Sequence, residues 1–167
     1  MFKTPLTLTV VLLSFLGASM ARAEQPRCYT LESLEGSWTI IGTFGANVAK
    51  SLGKREIEDN GSFSGTFVLN GPTAGSTTGA RTITTGTQNG TYAVNCDGTG
   101  TVTRIVMASN GTTASQVDDF VITAATVKHR EFIATAVTDV QRVPSALVPG
   151  GIFVTRVMTR VPDEREK

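Results

Sequence analysis

Short β-prone runs separated by Asn-Gly and Asp-Gly dipeptides dominate this chain. Asn60-Gly61, Asn70-Gly71, Asn89-Gly90, Asp97-Gly98 and Asn110-Gly111 each fall between two such runs. These pairs accept positive φ at little cost, as a tight hairpin turn demands. Strand candidates cover 37–44, 62–69, 81–87, 90–95, 100–108, 116–124, 131–138 and 151–160, with a weaker one at 55–59. Helical periodicity is nearly absent; 46–52 and 30–34 are the short exceptions. The pattern predicts an all-β domain: a single antiparallel meander barrel of eight, or nine, strands. Closure removes the exposed edges that an open sheet of this size leaves.

Alternation assigns the faces. Phe63, Gly65, Phe67 and Leu69 share one side of their strand. Phe132, Ala134 and Ala136 oppose Ile133, Thr135 and Val137, and Ile152, Val154, Arg156 and Met158 oppose Phe153, Thr155 and Val157. Several strands are therefore apolar on both sides. A barrel with a ligand-holding interior gives that pattern, and so does one whose outer wall packs in an oligomer. Two connections are long: 71–80 is small and polar, and 142–150 carries Pro144 and Pro149, which cannot donate to a central ladder.

The N-terminus reads as a secretory signal peptide over 1–23. Lys3 precedes an apolar run at 6–16, and Ala21-Arg22-Ala23 is a small-x-small cleavage site. The run is short of the roughly 20 residues of a membrane span, so no transmembrane segment is expected. Export places the domain, 24–161, in the periplasm or outside the cell, with 162–167 as a charged, disordered tail. Without Lys3 and Arg22 the chain has 13 basic and 14 acidic side chains. Such a balance exerts no general pull on nucleic acid. Cys28 and Cys96 are the only cysteines. In an oxidising compartment such a pair usually bridges; two free buried thiols are the alternative. With one histidine they cannot complete a structural zinc site unaided, and neither metal nor cofactor is expected.

Three segments carry a family likeness: Cys28-Tyr-Thr-Leu-Glu-Ser-Leu-Glu-Gly-Ser-Trp38, Gly90-Thr-Tyr-Ala-Val-Asn-Cys-Asp-Gly-Thr-Gly-Thr-Val-Thr103, and Asp119-Phe-Val-Ile122 with Arg130-Glu-Phe-Ile133. They resemble small exported bacterial proteins that look like the allene oxide cyclase-like and dirigent-like barrels, of calycin type. The resemblance implies eight strands and a Cys28–Cys96 bridge tying the N-terminal arm to the turn after Val94. Here Cys96 precedes Asp97, where the family pattern places the aspartate first. No catalytic residue of the plant cyclases maps onto this chain.

Catalytic motifs are otherwise missing. His129, between Lys128 and Arg130, reads as a solvated turn residue, and no Gly-x-Ser-x-Gly elbow occurs. Gly98-Thr-Gly100 leads into a strand and reads as hairpin chemistry. Asp118 and Asp119 face opposite sides of a strand and are expected to be solvated. Asn60, Asn89 and Asn110 begin Asn-x-Ser/Thr sequons that the turns already explain. Trp38 suits a plug for one barrel end. Tyr92, Arg104, Glu131 and Arg156 are the large polar residues within strands. Pointing inward, Arg104 and Glu131 would pair as a polar spot in a ligand cavity. Pointing outward, they are ordinary solvated charges, the commoner state. The expected function is non-catalytic binding, of a small apolar ligand inside the barrel or of a protein partner such as a second copy. The alternatives are a cofactor-free cyclase or isomerase using Tyr92, Arg104 and Glu131, and a self-assembling envelope component.

Overall fold

The computed structural model describes residues 27–44, 49–145, 147 and 153–162. The signal-like segment, and the charged tail beyond Pro162, lie outside them. Eight strands form a closed barrel in sequence order, every neighbour antiparallel: β1 (Gly36–Phe44), β2 (Ala49–Ile57), β3 (Ser62–Pro72), β4 (Arg81–Val94), β5 (Thr99–Ala108), β6 (Thr113–Lys128), β7 (Glu131–Gln141) and β8 (Val154–Arg160). β1 pairs with both β2 and β8, which closes the wall.

Three of the five dipeptides are hairpin turns. Gly61, Gly98 and Gly111 take φ of 77°, 85° and 86°. In each turn the preceding Asn60, Asp97 or Asn110 carboxamide or carboxylate oxygen accepts the backbone N–H two residues on, at 2.8–3.0 Å. The β6–β7 turn uses His129 and Arg130 at φ of 51° and 71°, and both are exposed.

The other two dipeptides lie within strands. Asn70-Gly71 belongs to β3, and Asn89-Gly90 belongs to β4, which runs unbroken through the two separate candidates 81–87 and 90–95. For Asn89-Gly90 the reason is room inside a narrow barrel. Gly90 is the cross-strand partner of Phe63, Gly86 of Phe67 and Gly100 of Phe120. A Cβ on Gly90 would sit 2.9 Å from the Phe63 ring and 2.1 Å from Thr103 O. Each glycine thus leaves space for an inward phenylalanine on the neighbouring strand. The weak candidate at 55–59 and the short helix expected at 46–52 give way to one strand, β2. Ala49 faces inward and Leu52 outward, so they share no helical face; 46–48 lie outside the described residues. Residues 30–34 contain a single 3-10 turn, Leu31–Ser33.

Register shifts between β6 and β7 break strict alternation near Ala124. As a result Ala134 and Val137, expected on opposite faces, are both buried; an extra residue in one strand resets the phase.

The interior is layered. The lower end holds the main apolar core, including Trp38, Ile57, Phe63, Tyr92, Phe120 and Met158. The N-terminal arm seals this end. Leu34 is fully buried, Trp38 Nε1 donates to Leu34 O at 2.8 Å, and Tyr29 stacks on Phe132 with ring centroids 4.6 Å apart. The Cys28–Cys96 disulfide clamps this arm to the β4–β5 turn, where Tyr29 N also donates to Cys96 O at 3.2 Å. A smaller cluster, Ala49, Leu69 and Val154 with Phe67 and Leu147, lies toward the other end.

Gly90→Ala is expected to lower stability by about 1–3 kcal/mol, the usual range for overpacking. Gly71→Ala is expected to change little, because nothing beyond the adjacent residues lies within 4 Å of the place its methyl would take. Urea unfolding of both variants checks this.

Candidate functional site

Between the two apolar clusters lies a belt of buried polar side chains drawn from six strands. Arg55 comes from β2, Gln88 and Tyr92 from β4, Arg104 from β5, Gln116 and Asp118 from β6, Asp139 and Gln141 from β7 and Arg156 from β8. Each occupies an inward position of its strand, in phase with apolar neighbours such as Ile57, Val102, Phe120, Val137 and Met158.

Asp118 is the hub. Its Oδ2 accepts Arg104 Nε at 2.8 Å and lies 2.7 Å from Arg156 Nη2. Asp139, the cross-strand neighbour of Arg156, contacts Arg156 Nε with both oxygens, at 2.8 and 3.1 Å. Arg55 has no carboxylate among its described contacts. Its Nε and Nη2 donate to Gln88 Oε1 at 3.3 and 3.0 Å, and its Nη1 reaches Tyr92 Oη at 2.5 Å. Its guanidinium carbon stands 4.6 Å from the centre of the Phe63 ring. Gln88 Oε1 also accepts Arg104 Nη1 at 3.3 Å, so one amide oxygen joins two guanidiniums.

The electrostatics follow from burial and these contacts. Burial raises the Tyr92 phenol above its ordinary value, more than nearby Arg55 lowers it, so the ring hydroxyl is neutral at pH 7. Burial, with Arg156 and Arg55 close by, lowers Arg104 to about 10 against the pull of Asp118. Burial opposes ionisation of Asp118, but Arg156 and Arg104 outweigh it and hold the carboxyl below its ordinary value. Arg156 is raised: burial would lower it, and Asp139 and Asp118 overcome that.

Of the residues singled out from sequence, Tyr92, Arg104 and Arg156 therefore meet inside the barrel. Glu131 does not join them. It sits exposed at the start of β7, opposite Lys128 across the β6–β7 turn. Arg104, expected in the commoner case to face solvent, is buried, and its carboxylate is Asp118. Asp118, expected to be solvated, is fully buried, whereas Asp119 is on the outside and pairs with Arg142 at 2.6 and 2.8 Å. Arg55, Gln88, Gln116, Asp139 and Gln141 escaped sequence reading. Their signal is a polar residue on the inward phase of its strand, between more exposed neighbours.

Above the belt is a cavity of about 40 Å³, lined by Arg104, Arg156, Gln88, Gln116, Gln141, Ser145 and apolar residues including Val106 and Val154. That is the scale of one to three waters, far below the roughly 300–1,000 Å³ of a small-molecule pocket. The lining supplies hydrogen-bond donors and positive charge, with no nucleophile–base pair. Among the described residues no group of His, Cys, Asp and Glu is placed to hold a metal, and no helix is long and apolar enough to cross a membrane.

The outer wall carries a second feature. Val157, Ile41, Leu52 and Val68 are direct cross-strand neighbours on β8, β1, β2 and β3. They form one apolar row, with exposures of 49, 60, 63 and 44%. No protein-family model and no curated protein matches the chain.

Asp118→Asn is expected to cost about 3–5 kcal/mol, because it leaves the buried Arg104 without a carboxylate and Arg156 with Asp139 alone. Asp119→Asn, exposed and screened, is expected to leave the unfolding midpoint almost unchanged. The lowered Asp118 pKa also sets a sign. Its contribution is complete above the unfolded-chain value near 4 and is lost as pH falls through the lower folded value. The wild type should therefore lose stability below about pH 4, and the Asp118→Asn protein less steeply. Urea titrations between pH 2 and 7 check both.

Proposed function

We propose that this protein is an exported, non-catalytic binding protein that works through the outer wall of its barrel, by pairing with a second copy of itself. The observation that carries this is the row Val157–Ile41–Leu52–Val68, contiguous across four strands and bordered by threonines and two lysines. Contiguous exposed apolar surface with a polar rim is the usual mark of an association site. The interior offers less to an apolar ligand: its cavity is small and its lining is charged.

Register supports a self-complementary contact. Thr43 is level with Lys50, and Thr39 with Lys54. A two-fold axis running along the strands between β1 and β2 would set Ile41 against Leu52 of the second copy and Val157 against its Val68. The same axis sets each lysine against a threonine, so like charges do not meet. The signal-like N-terminus and the disulfide both suit an exported protein, in the periplasm or beyond it. The closed eight-stranded meander is compatible with kinship to the allene oxide cyclase-like and dirigent-like barrels, which we offer as part of the same reading.

Light scattering coupled to size exclusion is expected to show a concentration-dependent dimer. The Ile41→Lys/Leu52→Lys protein should remain monomeric and folded, with a melting temperature that no longer rises with protein concentration, since both side chains already face solvent. A wild type that is monomeric at the highest attainable concentration would sink the proposal.

A further inference from the structure

The buried belt is out of charge balance. Arg55, Arg104 and Arg156 bring three positive charges, and Asp118 and Asp139 bring two negative ones. Arginine remains protonated in proteins, and the Tyr92 hydroxyl is neutral. One unit of positive charge is left inside the barrel. An uncompensated buried charge is costly unless something pairs with it.

The cavity beside Arg104 and Arg156 has mostly apolar walls; its polar side combines these two arginines with Gln88, Gln116, Gln141, Ser51 and Ser145. Gln88 Oε1 is fully used, whereas the Gln116 and Gln141 oxygens each accept one hydrogen bond and keep a second lone pair. Gln88 Oε1 accepts from Arg55 and Arg104, Gln116 Oε1 accepts Gln141 Nε2 at 2.8 Å, and Gln141 Oε1 accepts Val154 N at 3.1 Å. Ser145 Oγ accepts from Gln116 Nε2 and Leu147 N, both at 3.3 Å, which leaves its O–H to donate. Arg104 Nη2 and Arg156 Nη1 make no hydrogen bond with the described residues. Amide nitrogens carry two N–H groups each, and those of Gln116 and Gln141 use one apiece. Asp118 and Asp139 do not line this space. Water can hydrogen-bond to these groups but brings no charge to offset the surplus. An anion brings one.

We propose that this cavity binds one small monovalent anion of halide size, held by the guanidiniums of Arg104 and Arg156 and by the Gln116, Gln141 and Ser145 donors. Its charge completes the balance of the belt. Its size follows from the cavity, about 40 Å³, which excludes large organic anions. The inference is independent of the outer-wall reading.

The test replaces sodium gluconate by sodium chloride or bromide at constant ionic strength and follows thermal unfolding of the full protein. Gluconate is too large for the cavity. The melting temperature is expected to rise with the logarithm of halide concentration, by about 5–11 °C at 100-fold excess over the dissociation constant. Crystals grown with millimolar bromide should show an anomalous peak within hydrogen-bond reach of Arg104 and Arg156. Gln116→Glu places a carboxylate next to Arg104, its cross-strand neighbour, and should abolish the halide dependence while keeping or raising the melting temperature in gluconate. Equal melting temperatures in gluconate and halide would overturn the proposal, as would bromide crystals with no peak in the cavity. The bromide experiment decides the matter even if the variant fails to fold.

Discussion

The buried Asp118 carboxylate is the constraint on which the interior of this barrel depends. It sits where strands β5, β6 and β8 converge through Arg104 and Arg156, and Arg156 carries the contact on to Asp139 of β7. Net stability is a weak reason for such a network, because desolvating the ions offsets much of their attraction. Its stronger consequence is register. Sliding any of these strands by one residue turns its charged side chain to solvent and buries its neighbour instead. For β6 the slip would exchange Asp118 for Asp119, leaving Arg104 without a carboxylate and Arg156 with Asp139 alone. The network thus penalises misregistered closure much more than it rewards the correct one.

A narrow barrel admits such large side chains only because the opposite wall recedes. Gly65 faces Arg55 across the β2–β3 ladder, and Gly42 faces Arg156 across β1–β8. A Cβ at either glycine would come within 3.2 Å of the Cγ atom of its arginine. The phenylalanines use the same device with Gly86, Gly90 and Gly100. Packing and polarity are therefore one problem here. The glycines that let the ladder accommodate rings in the lower core also let it accommodate guanidiniums at mid-height.

This double use of glycine explains what could and could not be read from the sequence. Asn60-Gly61, Asp97-Gly98 and Asn110-Gly111 were legible as turns because the local chemistry suffices: a positive φ and an oxygen that reaches the amide two residues on. Asn89-Gly90 carries the same letters for a different reason, the space demanded by another strand, and no local pattern reveals that; Gly71, at the end of β3, has open space around it. The closed eight-stranded antiparallel meander and the Cys28–Cys96 bridge emerged as expected, although two strand candidates proved to be one strand, β4, and β2 replaced a helix candidate and a weak strand. Arg104 and Arg156 were visible as candidates. Their partners were not, since Asp118 looks like half of a solvated pair until its phase with Gln116, Phe120 and Ile122 is noticed. Glu131 misled because a carboxylate at a strand start is as close in sequence terms as one inside.

The outer wall raises a question that strand propensity only half answers. Val, Ile and Thr are common on strands whether or not they are covered, so Val157, Ile41 and Val68 alone need no further account. Leu52 is different. It is not β-branched, it points away from the core, and it is flanked on the same face by Lys50 and Lys54. A threonine there would serve the strand as well and cost nothing in exposed apolar area. What distinguishes position 52 is its place in the ladder, between Ile41 and Val68, where a long apolar side chain makes the row continuous across β1, β2 and β3. Continuity has no value to an isolated barrel whose interior is already filled by its own belt and core; it acquires one when a second surface lies against it.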